Sequence, residues 1–301
     1  MEDERVPRAL VFYPEGLQFL NDLPVEAWDG KSEPPAGVTF WVPQWIPIDN
    51  YPELFAALPD LEVIQLLTAG YEHVIQHVPD GVTLCNARGV HDPAVAEWVL
   101  AATLAVLRDL PRYIGGPVER RREGDESNTL MGTTVTIVGY GSIGHTVARF
   151  LEPFEVELLK VASHRRDDVH GPEDLPSLLP QTEVLIILTP RNEQTLGMID
   201  ADALAALPDG AVLVNAARGG IVDEEALLAE LRSGRLRAAL DVAEPDPLPP
   251  DHPLRAAPGL VYTPHVAGAT TQTIPRVFGF VGDQLRRHLR GEPLENVVNE
   301  S

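Results

Sequence analysis

The chain has 301 residues, 44% of them apolar and 23% charged, which is the balance of a water-soluble globular protein with room for about two domains. Against 45 acidic residues stand 23 basic ones, a net charge of −22 that repels nucleic acid and anionic membrane, so neither is an expected partner. No apolar run reaches the roughly 18 residues of a membrane span, the start MEDERVPR is no signal peptide, and the lone cysteine, Cys85, excludes a disulfide framework and a Cys-based zinc site and suits a reducing cytoplasm.

Strand-length apolar runs cover 8–13, 38–42, 62–67, 82–86, 133–138, 156–162, 183–188, 211–215, 238–241 and 260–262. Helical patterns cover 93–110, 142–154 and 223–233. Strands alternating with helices predict α/β architecture, with parallel sheets covered on both faces. Residues 33–37 read as a loop, as do 119–128 and the segment 245–253, which holds five prolines. Arg120, Arg121 and Arg122 lie between Glu119 and Glu123 and read as a solvated face. His73 and His77 stand four residues apart. No glutamate follows His73, so a solvated helix face is expected and no metal site.

The sharpest local signal is Gly139-Tyr140-Gly141-Ser142-Ile143-Gly144, directly after a β-type run and directly before a helical pattern. That is the context of the dinucleotide-binding fingerprint. The first glycine permits the tight turn, the second lets backbone approach the pyrophosphate, and the third lets helix and strand pack closely. The helix start offers free N–H groups and a positive dipole end.

The tip of the next strand distinguishes the two nicotinamide dinucleotides. A carboxylate about 20 residues on would hold a ribose 2′-hydroxyl. This chain has Ser163, His164, Arg165 and Arg166 there, suited to a 2′-phosphate. NADP(H) is therefore expected over NAD(H), with Asp167 or Asp168 as the alternative ribose ligand.

In the second half, Arg218 follows the 211–215 strand, where a guanidinium could grip a carboxylate through two parallel bonds. His265 follows the 260–262 strand and is a candidate proton carrier. Between them, Asp241, Glu244 and Asp246 follow another strand. Taken singly, Arg218 could also be a structural ion pair and His265 a loop histidine.

Val95-Ala96-Glu97, the Gly139 turn and the segments around Arg218, Asp241 and His265 together resemble the D-isomer-specific 2-hydroxyacid dehydrogenase family. The resemblance implies two Rossmann-like or flavodoxin-like α/β domains, with the cofactor domain, residues 98–267, inserted into a substrate domain of 1–97 plus 269–301. It implies that Arg218 binds the substrate carboxylate, that His265 carries the proton, and that Asp246 orients His265. Asp241 and the backbone of Ala216 would hold the nicotinamide carboxamide. Thr189, Pro190 and Gly268 would also contact cofactor. Backbone groups of Ala69, Gly70 and Tyr71, with His91, would meet the substrate. The family usually has Glu where this chain has Asp246, so the 244–253 loop must make up the shorter reach. The tryptophan that the family commonly carries before the Gly-turn domain is missing from 119–128. The resemblance also implies a homodimer through the long helix, here with Val95, Val99, Thr103 and Val106 on one stripe. The activity implied is hydride transfer between NADP(H) and a small 2-oxo or 2-hydroxy acid such as glyoxylate or hydroxypyruvate. The alternative is a dinucleotide-sensing interaction protein of the corepressor type, without significant turnover.

Overall fold

In the computed structural model, residues 8–45, 48, 50–114 and 127–299 are described. Arg120–Arg122 and most of the 119–128 loop lie outside them. The chain forms two compact units, one from the segment ending at His91 together with the segment starting at Thr270, the other from Asp92–Ala269. The second unit is thus an insertion, in sequence, within the first. It takes in the whole of the long helix, including 92–97, which the domain limits read from the sequence assign to the other side.

The first unit is built on β1 (Arg8–Val11), β2 (Val25–Ala27), β3 (Val38–Val42), β4 (Val63–Gln65) and β5 (Thr83–Cys85). All pair in parallel, in the order β2-β1-β3-β4-β5, the flavodoxin-like winding. Helix α1 (Tyr51–Ala56) and the C-terminal helix Thr273–Arg290 belong to this unit. The C-terminal helix buries Val277, Phe278, Val281 and Leu285 beside Val11, Leu20 and Phe40. A buried polar pair fixes its register: Gln284 Nε2 donates to Gln65 Oε1 at 3.0 Å and to the Glu295 carbonyl at 2.8 Å. Such amides are tolerated inside because their hydrogen bonds are made.

The second unit contains α2 (Asp92–Leu107), α3 (Leu110–Tyr113), β6 (Thr134–Val138), α4 (Ser142–Leu151), β7 (Glu157–Val161), α5 (Leu175–Leu178), β8 (Val184–Ile187), α6 (Ala201–Ala206), β9 (Val212–Asn215), α7 (Glu224–Ser233), β10 (Arg237–Leu240) and β11 (Leu260–Tyr262). The strands form one parallel sheet, ordered β11-β10-β9-β8-β6-β7. Every residue of β8 and β9 is buried, as expected of parallel strands covered on both faces. Helix ends follow local chemistry. Asp223 caps α7 by accepting from the Glu225 and Ala226 amides, and Gly234 closes that helix in the left-handed conformation.

The topology sets the place of chemistry. From β6 the chain runs to β7 on one side and then crosses back to β8 on the other. The crevice at the carboxyl ends of β6 and β8 is the switch point at which open α/β sheets bind ligands.

Two expectations are corrected here. Val95, Val99, Thr103 and Val106 are all buried inside the second unit, and the three valines sit in its core with Val135 and Val147. Helical spacing reveals that a stripe is covered, not what covers it. This stripe therefore cannot meet another chain. The second correction concerns His73 and His77, which are not on one helix face. The local structure is a turn and a short 3₁₀ segment, Ile75–His77, and the His77 ring stacks on buried Tyr51 at 5.7 Å.

Candidate active site

Strand β6 ends at Val138, and Gly139 turns the chain with φ +100°. Any Cβ at this position would lie 2.4 Å from the Thr189 amide nitrogen and 2.5 Å from the Leu188 carbonyl carbon. The residue must therefore be glycine for both conformational and steric reasons. Gly141 is the N-cap of α4, and a Cβ at Gly144 would come 2.8 Å from the Gly139 carbonyl oxygen. The first-turn amides of Ser142, Ile143 and Gly144 have no intrahelical acceptor. A turn whose first and third glycines exclude a side chain, lined by free amides, fits a pyrophosphate. Thr189 and Pro190 follow β8 beside this turn, and the Pro190 carbonyl accepts from Thr195 Oγ1 at 2.7 Å. The Ser142 hydroxyl donates to Asp92 Oδ2. Asp92, buried at the start of α2, is a residue the sequence does not single out, because nothing local links it to a turn 50 positions away.

Beyond β7, Ser163, His164, Arg165 and Arg166 are all exposed. Arg165 bonds both Asp174 carboxylate oxygens at 2.5 Å and lies 3.7 Å from Glu173. Arg166 Nη2 donates to the Tyr140 carbonyl at 3.0 Å, which ties it to the glycine turn. Of the two acids left open as ribose ligands, Asp168 is paired with Lys160. Asp167 is exposed, with φ +36°.

Three neighbouring strands of this sheet, β9, β10 and β11, end in the remaining candidates. After β9, Asn215 shapes the turn. Its Oδ1 accepts from the Ala217 amide at 3.0 Å and its Nδ2 donates to the Arg218 carbonyl at 3.1 Å. Arg218 Nη1 donates to the Ala217 carbonyl at 2.7 Å, and no carboxylate pairs with this guanidinium among the described residues. The Ala216 amide is used by the sheet, donating to the Ile187 carbonyl.

After β10, Asp241 is 2% exposed and committed within the chain. Its Oδ1 accepts from Thr263 Oγ1 at 2.6 Å and the Val266 amide at 2.9 Å, and its Oδ2 accepts from the Ala267 amide at 2.8 Å. It thus braces the loop carrying His265, a task its position in the sequence does not reveal. His265 is held at φ +56°, a strained conformation for a residue with a Cβ and one that surrounding bonds must enforce. Its amide donates to the Asp241 carbonyl at 2.7 Å. Gly268 lies in the turn just beyond.

His265 Nδ1 lies 2.7 Å from Asp246 Oδ2. The imidazole side chain is 53% exposed and the Asp246 side chain 27%. With Nδ1 on the carboxylate, Nε2 is the ring nitrogen left for a reactant. The loop from Ala243 to Leu248 reaches this position through anchors spread over the unit. A Cβ at Gly219 would fall 2.1 Å from the Ala243 carbonyl oxygen, so the Arg218 turn and this loop touch backbone to backbone. The Leu248 amide donates to the Tyr262 hydroxyl at 2.9 Å. The Glu244 amide donates to Glu224 Oε1 at 2.7 Å, and the Glu244 carboxylate pairs with Arg191.

In the first unit, the loop after β4 carries Ala69, Gly70 and Tyr71, all partly buried. Their amides donate to no acceptor among the described residues. Asn86 Nδ2 holds the Ala69 carbonyl at 2.7 Å and Thr68 Oγ1 holds that of Gly70 at 2.7 Å. His91 Nε2 bonds the Leu67 carbonyl at 2.8 Å, its ring against Trp45. Among the described residues no group of three or more His, Cys, Asp or Glu is placed to hold a metal ion. No described helix is long and apolar enough to cross a membrane.

The profile of the D-isomer specific 2-hydroxyacid dehydrogenase NAD binding domain matches residues 100–267. A glyoxylate reductase of Thermofilum pendens is 32% identical over 276 residues, covering 82% of this chain and 78% of that one. This chain belongs to the D-isomer specific 2-hydroxyacid dehydrogenases. Two solved structures extend the likeness to three dimensions. The enzyme of Xanthobacter autotrophicus Py2, solved with NADPH and MES, superposes with a TM-score of 0.80 at 29% identity, covering 98% of this chain and 98% of that one. The NADPH-dependent glyoxylate/hydroxypyruvate reductase of Sinorhizobium meliloti, solved with NADP and malonate, gives 0.78 at 28% identity, covering 97% of this chain and 96% of that one. The dehydrogenase described here is accordingly a nicotinamide-dependent oxidoreductase that transfers a hydride at a CH–OH carbon, and residues 100–267 match the family's NAD binding domain.

Proposed function

We propose that this dehydrogenase is a D-specific, NADP(H)-preferring reductase of small 2-oxo acids, with glyoxylate or hydroxypyruvate as the first substrates to try. The observation that carries the reading is the convergence of an arginine without a carboxylate partner among the described residues and a bonded carboxylate–histidine pair on the carboxyl ends of adjacent strands. Arg218 follows β9, Asp246 follows β10 and His265 follows β11. A planar guanidinium can bind a carboxylate through two parallel bonds and polarise the neighbouring 2-oxo group. His265 can donate a proton from Nε2 to the 2-oxygen while Asp246 retains the proton on Nδ1 and stabilises the imidazolium. The bound reduced nicotinamide supplies the hydride. Ser142, Ile143 and Gly144, with Thr189, Pro190, Ala216, Asp241 and Gly268, are assigned to cofactor binding. The amides of Ala69, Gly70 and Tyr71, with His91, are assigned to substrate binding.

The NADP preference rests on Ser163, His164, Arg165 and Arg166. Arg166 is already tied to the glycine turn, and Arg165 must exchange Asp174 for the 2′-phosphate. NADPH should exceed NADH in kcat/KM by at least about tenfold, the worth of one 1.4 kcal/mol contact. Arg165→Ala combined with Arg166→Ala should erase most of that preference and leave NADH use nearly intact. Equal use of both dinucleotides by the unmodified protein refutes this assignment. Mixing protein, NADPH and a panel of 2-oxo acids tests the activity itself. Tight NADPH binding without turnover of any acid would favour the corepressor-type alternative.

A homodimer completes the proposal. Since the 95/99/103/106 stripe is core, the surface for a second copy is the partly exposed side of α2 with Trp98, Ala101 and Leu104, continued by Leu110, Tyr113 and Ile114, which are 45–76% exposed. Contiguous exposed apolar residues of this kind mark interaction surfaces. Sedimentation at micromolar concentration should give twice the 32.8 kDa chain mass. Ile114→Asp should shift the mass toward one chain, and a single-chain mass for the unmodified protein contradicts the dimer. The lone buried Cys85 suits a reducing compartment, and we assign the protein to the cytoplasm.

A further inference from the structure

Glu224 is the first residue of α7, and its side chain turns toward the loop that carries Asp246. Its Oε1 accepts the Glu244 amide at 2.7 Å. No cation pairs with it among the described residues. The groups around it are mostly acidic. Glu244 and Asp246 lie within electrostatic reach, Glu244 answered by Arg191 and Asp246 by His265. On its own helix, Asp223 is occupied as the N-cap and Glu225 is exposed. On α6, which packs against α7, Asp200 caps its own helix and Asp202 is exposed. On the 3₁₀ turn Pro253–Ala256, Arg255 is spent on the Leu248 carbonyl and the Tyr262 ring.

We propose that Glu224 is a positioning residue for the Asp246–His265 pair: its carboxylate anchors the backbone two residues ahead of Asp246 and adds a negative charge within electrostatic reach of Asp246. This deepens the reading of His265 as proton carrier and rests on it. The two contributions separate with pH. Burial pushes the Glu224 carboxyl up to about 7, the Glu244 amide opposing the shift and the Glu244 and Asp246 charges adding to it. Below that pH Glu224 is neutral and still accepts the amide bond through its carbonyl oxygen. Above it Glu224 is anionic, and a nearby negative charge favours the protonated imidazole.

The test is a histidine-ring NMR titration of the full-length protein, with the His265 signal assigned by its loss in His265→Gln. Glu224→Gln keeps an acceptor for the Glu244 amide and removes only the charge. It should lower the His265 titration midpoint by about half a pH unit, as expected for a partly screened charge within electrostatic reach of Asp246. Glu224→Asp, which keeps the charge, should hold the midpoint closer to the original and serves if the Gln variant does not fold. The alkaline limb of kcat for glyoxylate reduction should move in the same direction, with KM for NADPH unchanged and the profiles converging toward low pH. Superimposable His265 titrations for the unmodified and Gln proteins overturn the proposal. Asp246→Asn separates the two readings. If it moves the His265 midpoint and Glu224→Gln does not, only the role of Glu224 fails. If Asp246→Asn moves nothing, the underlying dyad fails.

Discussion

Replacing His265 by glutamine should lower kcat for 2-oxo acid reduction by about 10²- to 10⁴-fold, the usual contribution of a positioned acid, and leave dinucleotide affinity unchanged. Glutamine approximates the size of the ring but cannot deliver a proton at neutral pH. The loop should survive the exchange, because its shape is set by backbone bonds to Asp241, not by the imidazole. Asp241 holds the Val266 and Ala267 amides, and its carbonyl holds the His265 amide at 2.7 Å. The φ of +56° at His265 costs glutamine somewhat more than histidine, which enters the left-handed region more readily, so a small fall in melting temperature is compatible with the account. Steady-state kinetics alongside calorimetric titration with NADPH separates the two effects. A variant with kcat within a factor of a few of the original removes His265 from the chemistry.

Gly139→Ala should abolish the other half of the site. Two costs coincide at this position: a φ of +100° that a Cβ opposes, and a Cβ placed 2.4 Å from the Thr189 nitrogen. The clashing atoms are backbone at the end of β8, paired to β6 along its length from Val135 to Val138, so neither side can yield without opening the ladder. Strained positions of this kind cost about 1–3 kcal/mol each, before any overlap. Loss of NADPH affinity by at least about a hundredfold is expected, the equivalent of roughly 2.7 kcal/mol, with a lower melting temperature. Unchanged NADPH affinity in a folded variant would place the dinucleotide elsewhere.

The sheets could be read from the sequence because parallel strands are buried on both faces and appear as unbroken apolar runs, as in Val184–Ile187 and Val212–Asn215. The runs overshoot the paired residues by one or two at most ends, since apolar character continues into the covered turns. Strand Val25–Ala27 is absent from the predicted elements: it is three residues long, at a sheet edge, with Glu26 exposed. The C-terminal helix is absent as well, its pattern broken by Pro275, Gly279 and Gly282. At the site, the glycine turn, Arg218 and His265 announce themselves because each follows a recognisable strand. Asp92 and Glu224 do not, because their work is done across 50 and 20 residues through bonds that no local pattern encodes. Asp246 lies between these cases. The shorter side chain reaches His265 because the loop is drawn in by Gly219, Glu224 and Tyr262.

The central claim is that this chain moves a hydride from NADPH to the 2-carbon of a small oxo acid. Mass spectrometry of the product formed from glyoxylate and NADPH deuterated stereospecifically at the nicotinamide C4 position reads that transfer directly. The account predicts glycolate carrying one deuterium from one C4 face and none from the other, and loss of the labelled product in His265→Gln. Unlabelled glycolate from both labelled forms, or no reduced acid from any member of the 2-oxo acid panel, would contradict it.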